Sequence, residues 1–152
     1  MTDGAYWERR WAGFRAGRRR VRLSWGGGSA LAVLYEDGVP RTVAAVAAAL
    51  PLTLELIHVA WSGDMVMTSS AVSIDAPFEE NTVRLPQPGD LGWDPKVKEL
   101  TVTYGVAECH TPAQPNTICI YGQIVEGLEA FAQFGRARRY EGLGELEMSL
   151  DD

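Results

Sequence analysis

Apolar and polar positions alternate along much of this chain, and the alternation predicts strands. In RRVRLSW, Val21, Leu23 and Trp25 alternate with Arg20, Arg22 and Ser24, the period of a half-buried strand. Gly26, Gly27 and Gly28 follow, and then Leu31, Val33 and Tyr35 alternate, which predicts a hairpin around a glycine turn. No GxGxxG or GKS/T pattern follows these glycines and no helix opens there, so they read as a turn and not as a phosphate loop. Residues 54–61 form the next predicted strand, with Leu56, His58 and Ala60 on one side and Ile57, Val59 and Trp61 on the other. Ser62, Gly63 and Asp64 turn it back into MVMTSS. Further strands are predicted at residues 90–93, 98–104 and 117–125, and through Leu146, Met148 and Leu150.

The period becomes helical in three places. Trp7, Trp11 and Phe14 recur at i, i+4 and i+7, which predicts a helix over residues 5–17 with an aromatic face and a stop at Gly17. Pro40 suits a first helical turn because its missing N–H is not needed there. Residues 42–50 then place Val43, Val46, Ala47 and Leu50 on one face, and Pro51 ends the run. Leu128, Phe131 and Ala132 mark an inward face over residues 128–134. Residues 71–89 and 105–116 show little periodicity and read as loops, of a length that is often functional. About eight short strands with two helices among them predict a mainly β fold: a closed barrel with two capping helices, plus an extra N-terminal helix. The division expected is an Arg/Trp-rich arm over residues 1–18 and a barrel domain over residues 19–152.

A chain of 152 residues is long enough for one domain with one sizeable core. Its 46% hydrophobic and 22% charged content is ordinary for a globular protein. No apolar run approaches the ~18 residues that a membrane span needs. Arg9, Arg10 and Arg15 interrupt any signal-peptide core, so a cytoplasmic location is expected. Two cysteines, Cys109 and Cys119, fit a reducing compartment. With His58 and His110 the only histidines, and neither CxxC nor HExxH, no metal site is expected.

Charge changes the picture of the arm. The net charge of -6 conceals seven arginines, at 9, 10, 15, 18, 19, 20 and 22, that supply half of the 14 basic residues. The remainder is acidic and would repel phosphates. The arm is therefore expected to dock on its own acidic body or on a second subunit, and not on nucleic acid. The Trp7, Trp11 and Phe14 stripe reads as core or dimer contact, and a homodimer through the N-terminal helix is the partner expected.

Two separated stretches carry a resemblance. LYEDGVPRTVAAVAAAL resembles the cyclophilin segment in which a polar turn and P-[KR]-T open the first helix. IHVAW stands where cyclophilins carry FHRxI, and YGQIVEGLEAFAQF resembles their strand, glycine turn and second helix. A bacterial cyclophilin-like domain family of unknown function is more similar still. It shares Pro40 and Thr42, Leu50 and Pro51, Ile57 and His58, Trp61 to Gly63, Glu80 to Thr82, Pro86, Pro88 to Leu91, Lys98 to Leu100, and Tyr104 and Gly105. The resemblance covers about residues 20–150 and implies a cyclophilin-like barrel. In cyclophilins the arginine of FHR serves prolyl isomerisation. Val59 stands at that position here and offers no donor, so the resemblance does not extend to that activity.

The domain is also similar to the cyclophilin-like part of the cucumopine and mikimopine synthases. This implies a small-molecule enzyme: a Pictet–Spengler-type cyclase that condenses a Trp- or His-like amine with an aldehyde or keto acid. The alternatives are a binding module without turnover and, disfavoured by Val59, a prolyl isomerase. Ring closure through an imine needs an acid, a base and an apolar pocket, with no metal or cofactor. Glu80 is the favoured carboxylate, with a pKa expected to be raised by partial desolvation. His58 is a candidate acid/base, against a core histidine bonded to the backbone. Tyr104 is a candidate donor to a carbonyl oxygen. Trp61 would wall the substrate, with Ser62 beside it and Asn81 beside Glu80. Glu108 and His110 form a second acid/base pair, and Asn116 could orient a carboxylate. Cys109 lacks any cysteine-enzyme signature around it, while Asp64 and Asp90 read as structural.

Overall fold

The computed structural model describes residues 13–152. Within them the elements are β1 (Arg20–Trp25), β2 (Gly28–Leu34), α1 (Pro40–Ala49), β3 (Leu52–His58), β4 (Gly63–Thr68), β5 (Thr82–Val83), β6 (Asp90–Asp94), β7 (Glu99–Ala107), β8 (Ile118–Glu126), α2 (Leu128–Glu141) and β9 (Gly144–Leu150). Eight strands follow one another in the order β2-β1-β9-β3-β4-β7-β6-β8, and β8 pairs back onto β2 to close a barrel. Every pairing is antiparallel. The short β5 joins β8 at Cys119 and Ile118, ahead of the part of β8 that β2 occupies.

The alternating segments form strands because each buries one row of side chains. Leu23, Leu34, Leu56, Leu91, Trp93 and Leu146 are wholly or almost wholly buried inside the barrel. The β1–β2 hairpin closes at Trp25↔Gly28, leaving Gly26 and Gly27 as a two-residue turn. The long loop before β6 is tied to the core by Trp93, whose indole N–H donates to the Ala76 carbonyl at 2.8 Å.

α1 follows the C-terminal end of β2, and α2 follows the C-terminal end of β8. Because β2 and β8 run antiparallel, with Leu34 opposite Gly122 and Leu31 opposite Glu126, the two helices lie at opposite ends of the barrel. α1 buries Val43 and Val46, and α2 buries Phe131. α2 runs on past the predicted end at Phe134 to Glu141. Its last turns carry Arg138 and Arg139, which suit a helix C-terminus but add no apolar periodicity. Gly142, at φ 85°, then stops it in a conformation that favours glycine. β3 ends at His58 and not at Trp61, because the chain turns there: Ser62 and Gly63 N–H both donate to the Val59 carbonyl, at 2.9 and 3.2 Å.

Residues 5–12 of the predicted N-terminal helix, with Trp7 and Trp11, lie outside the described residues. Residues 13 and 14 are helical, and the chain leaves the helix at Arg15, before the predicted stop at Gly17. What redirects it is a buried ion pair. Arg15 donates to both carboxylate oxygens of Asp90, at 2.9 and 3.0 Å, and to the Tyr35 hydroxyl at 3.1 Å. The Asp90 side chain is 0% exposed and that of Arg15 9%. Backbone approaches backbone closely here: a Cβ on Gly38 would stand 2.2 Å from the Phe14 carbonyl oxygen. Arg19 pairs with Asp152 and Arg22 with Asp151, so these basic residues of the N-terminal region meet acidic groups of the same chain. Among the described residues no helix is long and apolar enough to cross a membrane.

Removing one partner of a buried pair leaves the other charge uncompensated. Arg15→Ala is expected to lower unfolding stability by about 3–5 kcal/mol, measured by urea denaturation. A loss under about 1 kcal/mol, the range of an exposed pair, would contradict the arrangement.

Candidate functional site

Cross-strand register decides which side chains share a face. Ile57, Met67, Thr101 and Gly92 stand opposite one another across β3, β4, β7 and β6. His58, Val66, Val102 and Leu91 form the neighbouring row on the other face. Val66 and Leu91 are fully buried and Val102 nearly so, which makes theirs the inner face. The Met67–Thr101–Gly92 row therefore lies on the outside of the barrel. It forms part of the floor of a half-open cavity of about 450 Å³.

Met65, Met67 and Ile118 give the cavity an apolar floor, and Trp61 stands on its rim, 43% exposed. At Gly92 a Cβ would collide with the Thr101 hydroxyl and with Ile118, both of which line the cavity. The segment before β8 forms the opposing wall and is held by its own hydrogen bonds. Asn116 N–H donates to the Cys109 carbonyl at 3.0 Å, and Thr111 N–H to Gln114 at 2.8 Å. Ser62 clamps this wall to the β3–β4 turn, since its Oγ accepts from His110 N–H at 3.1 Å and lies 3.2 Å from the His110 carbonyl.

One end of the cavity is polar. Asp94 and Glu99 are cross-strand partners on either side of the β6–β7 turn, and both line the cavity. Asp94 is engaged from three directions. Asn116 Nδ2 donates to Oδ2 at 2.9 Å, Lys96 Nζ pairs with Oδ1 at 3.0 Å, and Lys96 N–H also donates to Oδ1 at 3.0 Å. Among the described residues none donates to Glu99 in this way. Burial, and then the nearby Asp94 charge, push its carboxyl above the usual range. A carboxyl with a raised pKa beside a largely apolar cavity is suited to give and take a proton.

Of the sequence-predicted residues, the fold brings Trp61, Ser62, His110 and Asn116 to this cavity. The other five are not among its lining residues. His110 Nδ1 lies 2.9 Å from the Thr111 carbonyl; a carbonyl only accepts, so this nitrogen carries the proton and Nε2 is left as acceptor in the neutral ring. Glu108 is half exposed and pairs with Arg84 at the surface. Asn81 is tied to β8, its Nδ2 donating to the Ile120 carbonyl at 2.9 Å.

Glu80 caps α1. Its Oε1 accepts from Thr42 N–H at 2.7 Å and from Thr42 Oγ1 at 2.8 Å, and Oε2 accepts from Arg41 N–H at 3.3 Å. Val39, at the N-cap position, supplies no side-chain cap of its own. Burial raises the Glu80 pKa, but the bonds from Thr42 and Arg41 outweigh it and hold the carboxyl below its ordinary value. The raised pKa expected for Glu80 is thus corrected, because orphan helix N–H groups stabilise its charged form.

His58 and Tyr104 do meet, with Nε2 and the phenol oxygen 2.6 Å apart. They do so on the inner face, at the α2 end, where Tyr104 packs under Gly135. Burial, and then the Arg139 charge, lower the His58 pKa, with Asp64 opposing. Cys109 is buried and its thiol is pushed up to about 12 by that burial first, so it is no nucleophile at neutral pH. Among the described residues no group of three or more His, Cys, Asp or Glu could hold a metal ion. Asp94 and Glu99 were the residues missed. The available signal was DPKVKE, two acids flanking a four-residue turn, where an antiparallel hairpin sets them side by side.

A family model described as a protein of unknown function, DUF3830, matches residues 21–150. Among solved structures, McbB in complex with tryptophan superposes with a TM-score of 0.67 at 19% identity, covering 85% of this chain and 44% of McbB. The solution structure of the hypothetical protein AF2241 from Archaeoglobus fulgidus superposes with a TM-score of 0.56 at 21% identity, covering 90% of this chain and 98% of that one. This chain thus spans less than half the length of McbB. At these identities the likeness is one of fold. Among curated proteins no sequence match is found.

Two outcomes follow from the capping and burial geometry. Glu80→Ala is expected to cost about 0.5–2 kcal/mol at neutral pH, the range for a lost helix cap, read by thermal or urea unfolding. Because the folded Glu80 pKa is depressed from 4.5, that difference is expected to shrink as pH falls below 4.5 and through the folded value. For His58, lowered from 6.5, the unfolded chain takes up the proton first. Wild type is therefore expected to lose stability relative to His58→Phe as pH falls below 6.5, and a difference independent of pH would contradict this.

Proposed function

The chain belongs to the DUF3830 family, and we propose that it is a small-molecule enzyme: a Pictet–Spengler-type cyclase acting in the outer cavity of a cyclophilin-like barrel. The observation that carries this reading is Glu99. It is a carboxyl with a raised pKa, beside Asp94, at the polar end of an otherwise largely apolar cavity of about 450 Å³. That volume suits a drug-sized ligand. The likeness in fold to McbB, whose structure holds tryptophan, supports an aromatic amine as one substrate.

The proposed chemistry uses one carboxyl twice. The amine enters as its free base and adds to the aldehyde or keto acid to give a carbinolamine. Glu99 protonates the carbinolamine hydroxyl, which leaves as water and yields an iminium. The aromatic ring carbon attacks the iminium carbon and forms the new carbon–carbon bond. The Glu99 carboxylate then removes the proton from that ring carbon, restoring aromaticity and its own acid form. Met65, Met67 and Trp61 would hold the ring against the iminium, and this positioning supplies much of the rate. Burial first and the Asp94 charge second favour the protonated form of Glu99, which suits it to give up that proton to the carbinolamine.

The same cavity speaks against prolyl isomerisation. Val59, at the position of the cyclophilin arginine, lines it and presents only methyl groups. Acid/base chemistry, not a hydrogen bond to a twisting amide, is what these side chains support.

Incubation with tryptophan or histidine and small aldehydes or keto acids, followed by mass spectrometry, is expected to reveal a cyclised product whose mass is that of the two substrates minus one water. Glu99→Gln is expected to lower the rate by about 10²–10⁴, the usual contribution of a general acid/base, while ligand-induced thermal stabilisation persists. Ligand binding without product for any pair would leave a receptor and reject the cyclase.

A further inference from the structure

A second concavity lies on the far side of the barrel, at the glycine turn of the β1–β2 hairpin. It is an open groove of about 620 Å³ between that turn, α2 and the start of β9. Its floor is aromatic. Trp25 stacks on Phe134 at 5.4 Å and 27° and meets Phe131 edge-on at 5.5 Å. Arg138 also lies there, but it stacks on Phe134 at 4.6 Å and donates to the Gly142 and Leu143 carbonyls, which commits it to the end of α2.

The wall of the groove is acidic. Glu145 and Glu147 are exposed on β9 and line it. Glu145 stands directly opposite Glu55 on β3, a like-charge cross-strand pair that costs stability when nothing offsets it. Among the described residues no basic side chain forms an ion pair with any of the three. An aromatic floor beside uncompensated carboxylates suits a segment that carries both aromatic rings and guanidinium groups.

This chain has one. Trp7-Glu8-Arg9-Arg10-Trp11 holds two tryptophans and two adjacent arginines. As the helix its spacing predicts, it would fall short of its own groove. The chain enters the described region at Gly13, against Gly38, beyond the C-terminal end of β2. The groove is at the N-terminal end of β2, across its seven residues, or about 20 Å at ~3.3 Å per residue. A helix over residues 7–12 spans about 9 Å. We infer that the groove receives the Trp7–Trp11 segment of a second copy, exchanged reciprocally in a dimer, with the tryptophans against Trp25 and the arginines on Glu145 and Glu147.

Charge reversal tests this without touching the core. Sedimentation velocity of the full chain is expected to show a dimer. Arg9→Glu with Arg10→Glu, or Glu145→Lys with Glu147→Lys, is expected to raise its dissociation constant about 10-fold or more. The four changes together are expected to restore it, which a merely destabilised fold would not do. Thermal unfolding checks that each variant is folded. A wild-type chain that stays monomeric at every concentration overturns the inference. So does a dimer that neither reversal weakens, or one that the combined variant fails to recover.

Discussion

Closure of the barrel through β2 and β8 is the constraint on which the rest depends. β2 pairs with its hairpin partner β1 on one edge and with β8, some 90 residues later, on the other. Once that second edge is made, the ring leaves no unpaired edge between its first and last strands. Its interior must then be filled by one row of side chains per strand, and Leu23, Leu34, Leu91 and Leu146 fill it. The antiparallel β2–β8 pairing also sends α1 and α2 to opposite ends. The inner face is therefore committed to the core, and a cavity for a ligand has to form on the outer face, under loops.

The polar groups divide by what satisfies them. Asp90, Glu80, Asn81 and Ser62 are buried or half-buried, and each is bonded to backbone or to a charge partner. These bonds hold the arm, α1, the long loop and the wall of the cavity. A carboxylate that receives several N–H and O–H bonds is stabilised in its charged form, as Glu80 is. Glu99 is half-buried beside another carboxylate, with no such donors among the described residues, and its shift runs the other way. Residue type does not separate the two carboxyls; the donors around them do.

Much of the fold was legible along the chain. Val21, Leu23 and Trp25 marked β1, the glycines marked its turn, and Pro40 with Val43 and Val46 marked α1. These signals are local, because period and turn chemistry need only neighbouring residues. The tail of α2 carried no such signal, since Arg136, Arg138 and Arg139 interrupt the apolar period there. The Val59–Ser62 turn was hidden by residues that alternate as a strand would.

The sequence by itself determined eight of the nine strands (β5 lies in the stretch read as a loop), the two helices and the family resemblance. It also supplied four residues of the cavity: Trp61, Ser62, His110 and Asn116. Only the tertiary structure decided what the carboxylates do. Glu80 meets Thr42 across 38 positions, and Asp94 meets Glu99 through a register that one residue of slip would turn to the opposite face. Burial and hydrogen-bond donors set a carboxyl's pKa, and both come from residues distant in the chain. That is why the carboxyl with the raised pKa could be named only after the barrel was closed.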